Sequence, residues 1–309
     1  MTVIATSAPG LATTLVNGLL AIKPLATFAQ QRARTMMIKR AESIGVNWTA
    51  QAQALRDRGQ SQWDQERAQL EDPTLVYPDY YLTAFHAYES GNLSWEAATE
   101  VEVAAYAAHA RIWSDLGARE GDARLRQSFH AFLRAELPQP PQDILDIGCS
   151  VGMSTFALQD AYPEARIIGL DLSPYFLTVA QYRAQQENRA IHWLHRPAED
   201  TGLPEASLDL ITLFLICHEL PGVATTAILR EARRLLRPGG YLAVMDMNPA
   251  SEVFKTLPPY IFTLLKSTEP YLDEYFNFDF AQSLQAEGFC APKRQENSPR
   301  HRTLLAQAI

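Results

Sequence analysis

Two acidic residues and a short glycine-containing loop form the pattern with the clearest chemical meaning in this sequence. The loop Asp146-Ile147-Gly148-Cys149-Ser150-Val151-Gly152 follows a short apolar run. Gly148 and Gly152 allow a tight turn and a close approach of the backbone to a ligand, while Asp146 can accept hydrogen bonds from a cationic or amide group. Asp171 ends the next apolar run, about 20 residues after the loop, at the place where a ribose diol is held. The spacing therefore predicts a ligand that carries a ribose.

A sheet must bring these residues together, and the sequence after residue 141 predicts one. Short runs rich in Ile, Leu and Val alternate there with stretches of helical periodicity; the runs are residues 144–147, 167–170, 191–194, 208–216 and 241–245. This alternation predicts an α/β fold with a Rossmann-like, doubly wound and mostly parallel sheet that is covered on both faces. Ligands bind such sheets at the carboxyl ends of the strands, so the loop and Asp171 should lie together.

The C-terminal part of the chain predicts a different arrangement. Residues 280–287 have the pattern of a helix, and two short runs follow at 290–294 and 302–308. A turn-like connector joins these runs, which predicts a closing antiparallel hairpin.

The part before the sheet is mostly helical. Ser94 fits the N-cap of a helix that begins at Trp95, and a second helix is expected over about residues 122–137, before a proline cluster. Residues 48–71 are polar and predict a solvated helix or linker. An aromatic stretch follows from Val76 to Tyr88, and we interpret it as a segment that packs on the domain rather than as a ligand wall.

We therefore divide the chain into a helical N-terminal extension or cap, residues 1–90, and a catalytic domain, residues 91–309. Its Rossmann-like core is expected over about residues 122–309.

Three more segments extend the pattern of the loop. They are Ile168 to Pro174, Arg196 to Asp200 with Leu203-Pro204, and Leu235 to Gly240. Together with Ile144 to Thr155 they are similar, in sequence and in order, to the motifs of class I S-adenosylmethionine-dependent methyltransferases, in particular the type 11-like branch that acts on small molecules. The resemblance covers roughly residues 122–309 and implies methyl transfer with S-adenosylmethionine as the cofactor.

The resemblance also implies roles for individual residues. Gly148 and Gly152 would lie against the methionine moiety of the cofactor, with Asp146 near its amino group. Asp171 would bind the ribose hydroxyls, and Leu172 would contact the adenine face. The expected cofactor-binding residues are Asp146, Gly148, Ser150, Gly152, Asp171, Leu172, Ala198 and Glu199 at the adenine edge, and Leu213. Ser150 departs from the family pattern, which usually has a glycine at this position.

The residues that could assist the chemistry lie after the fourth and fifth strands. Methyl transfer is a displacement on an activated sulfonium carbon, so a general base is needed only when the acceptor is a hydroxyl or a carbon acid. His218 is the candidate catalytic base, and the alternative is a structural histidine bonded to the backbone. Asp246 and Asn248 fit a helix cap better than a metal pair, so we expect no metal site.

The acceptor is predicted from the aromatic residues between the fifth strand and the tail, which are Tyr260, Phe262, Tyr271, Tyr275, Phe276 and Phe278. They favour a small apolar or planar molecule, such as a quinone, isoprenoid or pigment precursor. A protein or peptide methyltransferase is the alternative within the class. Residues 213–216 lack the polar-Pro-Pro-Tyr motif of enzymes that methylate nucleobases.

Two readings from other classes stay open. Gly148 to Gly152 also satisfies the G-x-S-x-G nucleophile elbow of α/β-hydrolases, with Ser150 followed by Asp246 and His301 in the required order. The helical pattern upstream and the missing His-Gly-Gly segment argue against a hydrolase. A cofactor-binding module that has lost catalysis and serves as an interaction protein is the other alternative.

The charge distribution separates the N-terminus from the rest of the chain. The 309 residues contain 27 Lys+Arg and 35 Asp+Glu, a net charge of −8. Residues 1–41 carry five basic residues and no acid, so the remainder has a net charge of −13. Such an acidic body argues against a nucleic-acid partner. The basic N-terminal segment is expected either to pack against the domain or to make a peripheral membrane contact.

The number and spacing of the cysteines indicate the cellular compartment of the protein. Three widely spaced cysteines form neither a disulfide framework nor a zinc knuckle. We therefore expect a cytoplasmic protein, and the oligomeric state is left open.

Overall fold

A seven-stranded sheet forms the centre of the structure, a computed structural model that describes residues 23–83, 88, 90–110, 112–113, 116–266 and 268–309. The strands are β1 (Asp143–Ile147), β2 (Arg166–Asp171), β3 (His192–His195), β4 (Leu208–Phe214), β5 (Leu236–Met247), β6 (Lys293–Ser298) and β7 (His301–Gln307). Their order is β3-β2-β1-β4-β5-β7-β6. Strands β1 to β5 pair in parallel, and β7 is antiparallel to β5 and β6. The doubly wound sheet with a C-terminal antiparallel hairpin is confirmed.

Helices precede the sheet and connect its strands. They are α1 (Lys23–Ser43), α2 (Trp48–Arg56), α3 (Gln60–Leu70), α4 (Trp95–His109), α5 (Ala118–Glu136), α6 (Met153–Ala161), α7 (Pro174–Gln186), α8 (Gly222–Leu235), α9 (Glu252–Lys255), α10 (Pro259–Lys266), α11 (Leu272–Asn277) and α12 (Phe280–Ala286). Two single 3-10 turns, Asp79–Leu82 and Cys217–Glu219, lie next to the carboxyl edge of the sheet. The predicted N-cap is confirmed, because Ser94 accepts a hydrogen bond from the backbone of Ala97.

Alternate residues of the central strands enter two separate cores, one on each face of the sheet. Leu145 and Ile147 of β1 belong to a buried cluster that includes the apolar side of α8 and α12. Ile144, which precedes Leu145 and points to the opposite face of the sheet, joins a second cluster with Phe129 of α5 and Leu158 of α6. This alternation follows from the two-residue period of a strand. It explains why β1 is buried at every position.

The N-terminal helices pack on the sheet domain. Trp48 of α2 and Val103 of α4 share a buried cluster with Ala41 of α1. Trp63 of α3 is 2% exposed, and its ring lies 5.4 Å from that of Tyr182 on α7. The prediction of a solvated helical segment over residues 48–71 holds for most of its residues, which are exposed or half-buried. Trp48, Ala52 and Trp63 are the exceptions, and these buried side chains fix α2 and α3 to their neighbours.

Glu100 of α4 holds the extension in place electrostatically. Its side chain is 3% exposed and accepts hydrogen bonds from Arg34 at 2.6 and 2.7 Å, from Arg56 at 2.6 Å and from the Tyr88 hydroxyl at 2.9 Å. Helix α1 thus packs against the domain. The apolar run at Leu11–Ile22 lies outside the described residues. Among the helices that the structure describes, none combines the length and the apolar character that crossing a membrane requires.

Candidate functional site

The glycine-containing loop connects β1 to α6 in a conformation that its residues dictate. Gly148 and Gly152 have φ angles of 69° and 86°, in the left-handed region that favours glycine. The backbone nitrogens of Gly148 and Cys149 both donate to the carbonyl of Leu170, at 2.8 and 3.0 Å, which fixes the loop to β2. A Cβ on Gly148 would lie 2.1 Å from Cδ1 of Ile216. Close packing against Ile216, and not only the turn, therefore requires this glycine.

Ser150 occupies the same loop at a conformational cost. Its φ of 50° is in the left-handed region, which is unfavourable for a residue with a Cβ. Its hydroxyl is buried and has no hydrogen-bond partner within the described part of the chain. Its backbone nitrogen donates to Asp171 Oδ2 at 2.8 Å. The serine thus keeps the loop in place through its backbone and leaves a hydroxyl that faces no protein partner.

Asp146 lies beneath the loop and has no accessible surface. Its Oδ2 accepts from Ser154 and Thr155 at 2.6 and 2.7 Å, and its Oδ1 accepts from Thr212 at 2.7 Å. Burial raises the pKa of this carboxyl group, although the three hydroxyls oppose the shift. These three bonds tie β1, β4 and the start of α6 together. The expected contact between Asp146 and a ligand amino group stays a prediction.

Leu213 is completely buried on β4, where it pairs with Ile147 of β1 and Val244 of β5. Its side chain belongs to a core cluster that includes residues of the covering helices. The expected contact between Leu213 and a cofactor stays a prediction.

Asp171 ends β2 next to the loop, as its position in the sequence predicts. It accepts hydrogen bonds from the backbone nitrogens of Ser150 and Ser173, both at 2.8 Å, and from the Tyr81 hydroxyl at 3.4 Å. Burial raises the pKa of Asp171 to about 6, against the effect of these donors. At neutral pH the group is a carboxylate that can accept further hydrogen bonds at the edge of the sheet.

Glu199 provides a second acid near this edge. Its Oε1 accepts from the Tyr80 hydroxyl at 2.6 Å, and its Oε2 is buried without a partner among the described residues. Leu172 and Ala198, both expected at the adenine, are 7% and 6% exposed. A buried carboxylate oxygen without a donor is costly, so this position calls for a ligand that brings an N–H or O–H group.

The aromatic segment before α4 contributes residues that the sequence analysis did not assign to the site. Tyr80 and Tyr81, in the 3-10 turn Asp79–Leu82, donate to Glu199 and Asp171 respectively. His195, at the end of β3, accepts from the backbone nitrogen of Asp72 at 2.9 Å, and its other nitrogen lies 3.0 Å from the Leu172 carbonyl. This segment was interpreted as packing between cap and core, and it does pack there. Its phenols also reach the two acids of the site.

His218 lies after β4, where the chain leaves the carboxyl edge of the sheet. Its Nδ1 is 2.8 Å from Asp246 Oδ1, and its backbone nitrogen donates to Asp246 Oδ2 at 3.1 Å. Burial alone would lower the pKa of this imidazole, but the adjacent carboxylate of Asp246 outweighs burial and raises the pKa to about 9. Asp246 thus favours the protonated form of His218, whereas the sequence predicts an imidazole with a near-neutral pKa.

Acidic and aromatic side chains surround His218. Donor atoms of His218, Glu219 and Glu269 all lie within 4.8 Å of one another. The ring of Tyr275 lies 6.3 Å from that of His218 and 5.9 Å from that of Phe276. Phe276 also contacts Phe254 and Phe262 through their rings, at 5.1 and 4.9 Å. His218 thus lies in a charged cluster that is flanked by an aromatic wall.

The geometry contradicts the interpretation of the chain as an α/β-hydrolase. Asp246 is bonded to His218, and His301 Nδ1 lies 2.8 Å from the Ser298 hydroxyl. The Ser150 hydroxyl has no partner in the described structure, so no triad is assembled around it.

The residues at this edge fit a nucleoside cofactor with a charged tail. Asp171 and Glu199 offer carboxylate oxygens at the ends of β2 and β3, one of them buried and without a donor. The loop approaches this space through Gly148 and through the unpartnered hydroxyl of Ser150. A parallel sheet whose order reverses at this loop is a nucleotide-cofactor fold of the doubly wound class.

Comparisons with known proteins define the family. Residues 144–240 match the model of the methyltransferase domain family. The chain is 30% identical over 155 residues to an uncharacterised methyltransferase of Synechocystis sp.. The match covers 50% of this chain and 70% of that protein. It is 31% identical over 140 residues to the 2-phytyl-1,4-naphtoquinone methyltransferase of Synechococcus elongatus. This match covers 44% of this chain and 55% of that protein. The chain belongs to the class I S-adenosylmethionine-dependent methyltransferases, whose cofactor is S-adenosylmethionine.

A solved structure supports the fold alone. The phosphoethanolamine N-methyltransferase 2 of Haemonchus contortus, in complex with S-adenosyl-L-methionine, superposes with a TM-score of 0.52 at 14% identity. The match covers 77% of this chain and 61% of that chain. The chain spans 35% to 70% of the length of the first relatives it matches, so the matched part is chiefly the cofactor-binding core.

Proposed function

We propose that this protein transfers a methyl group from S-adenosylmethionine to a small, apolar or aromatic acceptor, of the quinone, isoprenoid or pigment-precursor class. The observation that carries the proposal is the aromatic wall of Tyr275, Phe276 and Phe262 beside His218. Such a wall favours planar, apolar molecules. The relative named for a phytyl naphthoquinone supports this class of acceptor.

The residues that would hold the cofactor follow from the geometry of the site. The backbone of the Gly148 loop would lie against its methionine part, Asp171 would accept from the ribose hydroxyls, and Glu199 Oε2 would accept from the adenine. Ala198 and Leu172 would contact the adenine ring. When bound, the cofactor supplies a methyl group on a sulfonium, which is already activated for displacement.

The remaining residues would orient the acceptor and exclude water. His218 is fixed by Asp246 through two hydrogen bonds, so its ring has a defined direction. The insert from α9 to α11 would cover this side of the site with aromatic side chains. Tyr275 is anchored there because its hydroxyl donates to the carbonyl of Met247. An acceptor held between this insert and the loop would be positioned for an in-line displacement, which is where most of the rate acceleration arises.

The test is transfer of a radiolabelled methyl group from S-adenosylmethionine to a panel of acceptors, with the purified protein. The panel would contain prenylated hydroquinones, simple phenols, short carboxylic acids and a basic peptide. We expect label in the organic phase with the prenylated hydroquinones, and less label with Asp171→Ala when the cofactor concentration is limiting. Label only on the basic peptide would support the alternative, a protein or peptide methyltransferase. Cofactor binding without transfer to any acceptor would favour the noncatalytic reading.

A further inference from the structure

We infer that His218, Glu219 and Glu269 form a binding site for one divalent first-row transition-metal ion at the acceptor side of the site. Each residue offers one ligand atom, an imidazole nitrogen or a carboxylate oxygen, and these atoms lie within 4.8 Å of one another. One nitrogen and two oxygens around a common centre suit Mn²⁺, Fe²⁺, Co²⁺ or Zn²⁺ better than Mg²⁺ or Ca²⁺, which prefer oxygen alone.

The outer contacts of His218 are those of a metal-binding histidine. Its Nδ1 lies 2.8 Å from Asp246 Oδ1, which leaves Nε2 to face the two glutamates. A carboxylate on the far nitrogen is the usual partner of a metal-bound histidine, because it fixes the ring and strengthens the ligand. Asp246 is 2% exposed and is itself held by the backbone nitrogens of His218 and Met247. The direction of the imidazole is therefore set before any ion binds.

The three ligands come from two different elements. His218 and Glu219 belong to the 3-10 turn Cys217–Glu219 that follows β4. Glu269 lies between α10 and α11, in the aromatic insert, where its backbone nitrogen donates to Leu265 and its carbonyl accepts from Leu272. An ion bound by all three would therefore connect the insert to the carboxyl edge of the sheet.

A metal ion at this site would restrict the chemical class of the acceptor. This inference rests on the proposed function. Three protein ligands leave open coordination positions, which an acceptor oxygen can take. The acceptor would then carry a hydroxyl, a carbonyl or a carboxylate at the atom next to the transferred methyl group. The expectation of no metal site rests on Asp246 and Asn248 alone. Asp246 instead supports a ligand, and Asn248 caps a turn by accepting from Ala250.

The experiment is a titration of the chelator-treated protein with Mn²⁺, in which electron paramagnetic resonance measures the free ion. We expect one bound Mn²⁺ per chain, displaced by Zn²⁺. His218→Ala and Glu269→Gln should each weaken binding at least about tenfold, and Asp246→Asn about tenfold to a hundredfold. Glu252→Gln is the matched control, since this exposed acid on α9 pairs only with Lys255 among the described residues, and it should bind Mn²⁺ like the wild type.

A separate titration with S-adenosylhomocysteine accompanies each variant. Retained binding of this molecule shows that a variant is folded, and it tests the cofactor site independently of the metal. No Mn²⁺ or Zn²⁺ binding to protein that still binds S-adenosylhomocysteine would overturn the inference and leave His218 in an ion pair with the glutamates. Metal binding that survives both His218→Ala and Glu269→Gln would also overturn it, because the ion would then lie elsewhere.

Discussion

Replacement of Asp171 by asparagine tests the cofactor site most directly. The carboxylate is 7% exposed and accepts from the backbone of Ser150 and of Ser173 at 2.8 Å. A ribose hydroxyl bonded to it would add one or two charge-assisted hydrogen bonds, each worth about 1.5–3 kcal/mol. Asp171→Asn should therefore weaken binding of S-adenosylhomocysteine by about tenfold or more. The control is Asp200→Asn, an exposed acid in the loop after β3, which should bind normally.

The pH dependence of the same binding gives an independent check. The pKa of Asp171 is raised to about 6, and ribose binding requires its charged form. Affinity should be constant above pH 7 and fall as the pH drops through 6, by up to about tenfold per unit. Asp171→Asn should remove this part of the pH dependence. Calorimetry at pH 5, 6, 7 and 8 measures both effects, and wild-type affinity in Asp171→Asn would refute the placement of the ribose.

Three further predictions concern stability and the N-terminus. Glu100→Gln should lower the free energy of unfolding by about 2–4 kcal/mol, because the basic partners of the buried carboxylate lose their counter-charge. Glu96→Gln is the control: its side chain is 53% exposed, and its replacement should lower the free energy of unfolding by less than about 1 kcal/mol. Urea denaturation measures both free energies. Ser150→Gly should stabilise by about 1 kcal/mol by relieving the left-handed φ, and Ser150→Ala should not. If α1 contacts membranes, Met36→Glu with Met37→Glu should reduce flotation with anionic liposomes, and unchanged flotation would argue against contact there.

The sheet and the motif residues could be predicted because their signals are local. Apolar runs bounded by turns identify parallel strands, and the positions of Gly148 and Asp171 relative to those runs place them at one edge. The surroundings of each acid could not be predicted in the same way. Asp146 is bonded by Thr212, which lies 66 residues away, and that pairing depends on the strand order.

The role of the aromatic segment was missed for a related reason. Tyr80 and Glu199 are 119 residues apart, and no spacing rule connects them. The density of tyrosines before α4 was the available signal, but it fits packing as well as ligand contact. The pKa of His218 likewise depends on Asp246, a partner on a different strand. The division of the chain at residue 90 stays a prediction, since α4 packs against both the extension and the core.

The hydrogen bond from Tyr81 has a consequence for how ligands exchange. A carboxylate offers about four acceptor positions, and on Asp171 three of them are used by Ser150, Ser173 and Tyr81. A ribose that engages the carboxylate with both hydroxyls must take the place of the phenol. The entry of fresh cofactor and the departure of the spent one would then both require the same movement, that of the Tyr81 phenol away from the acid and back.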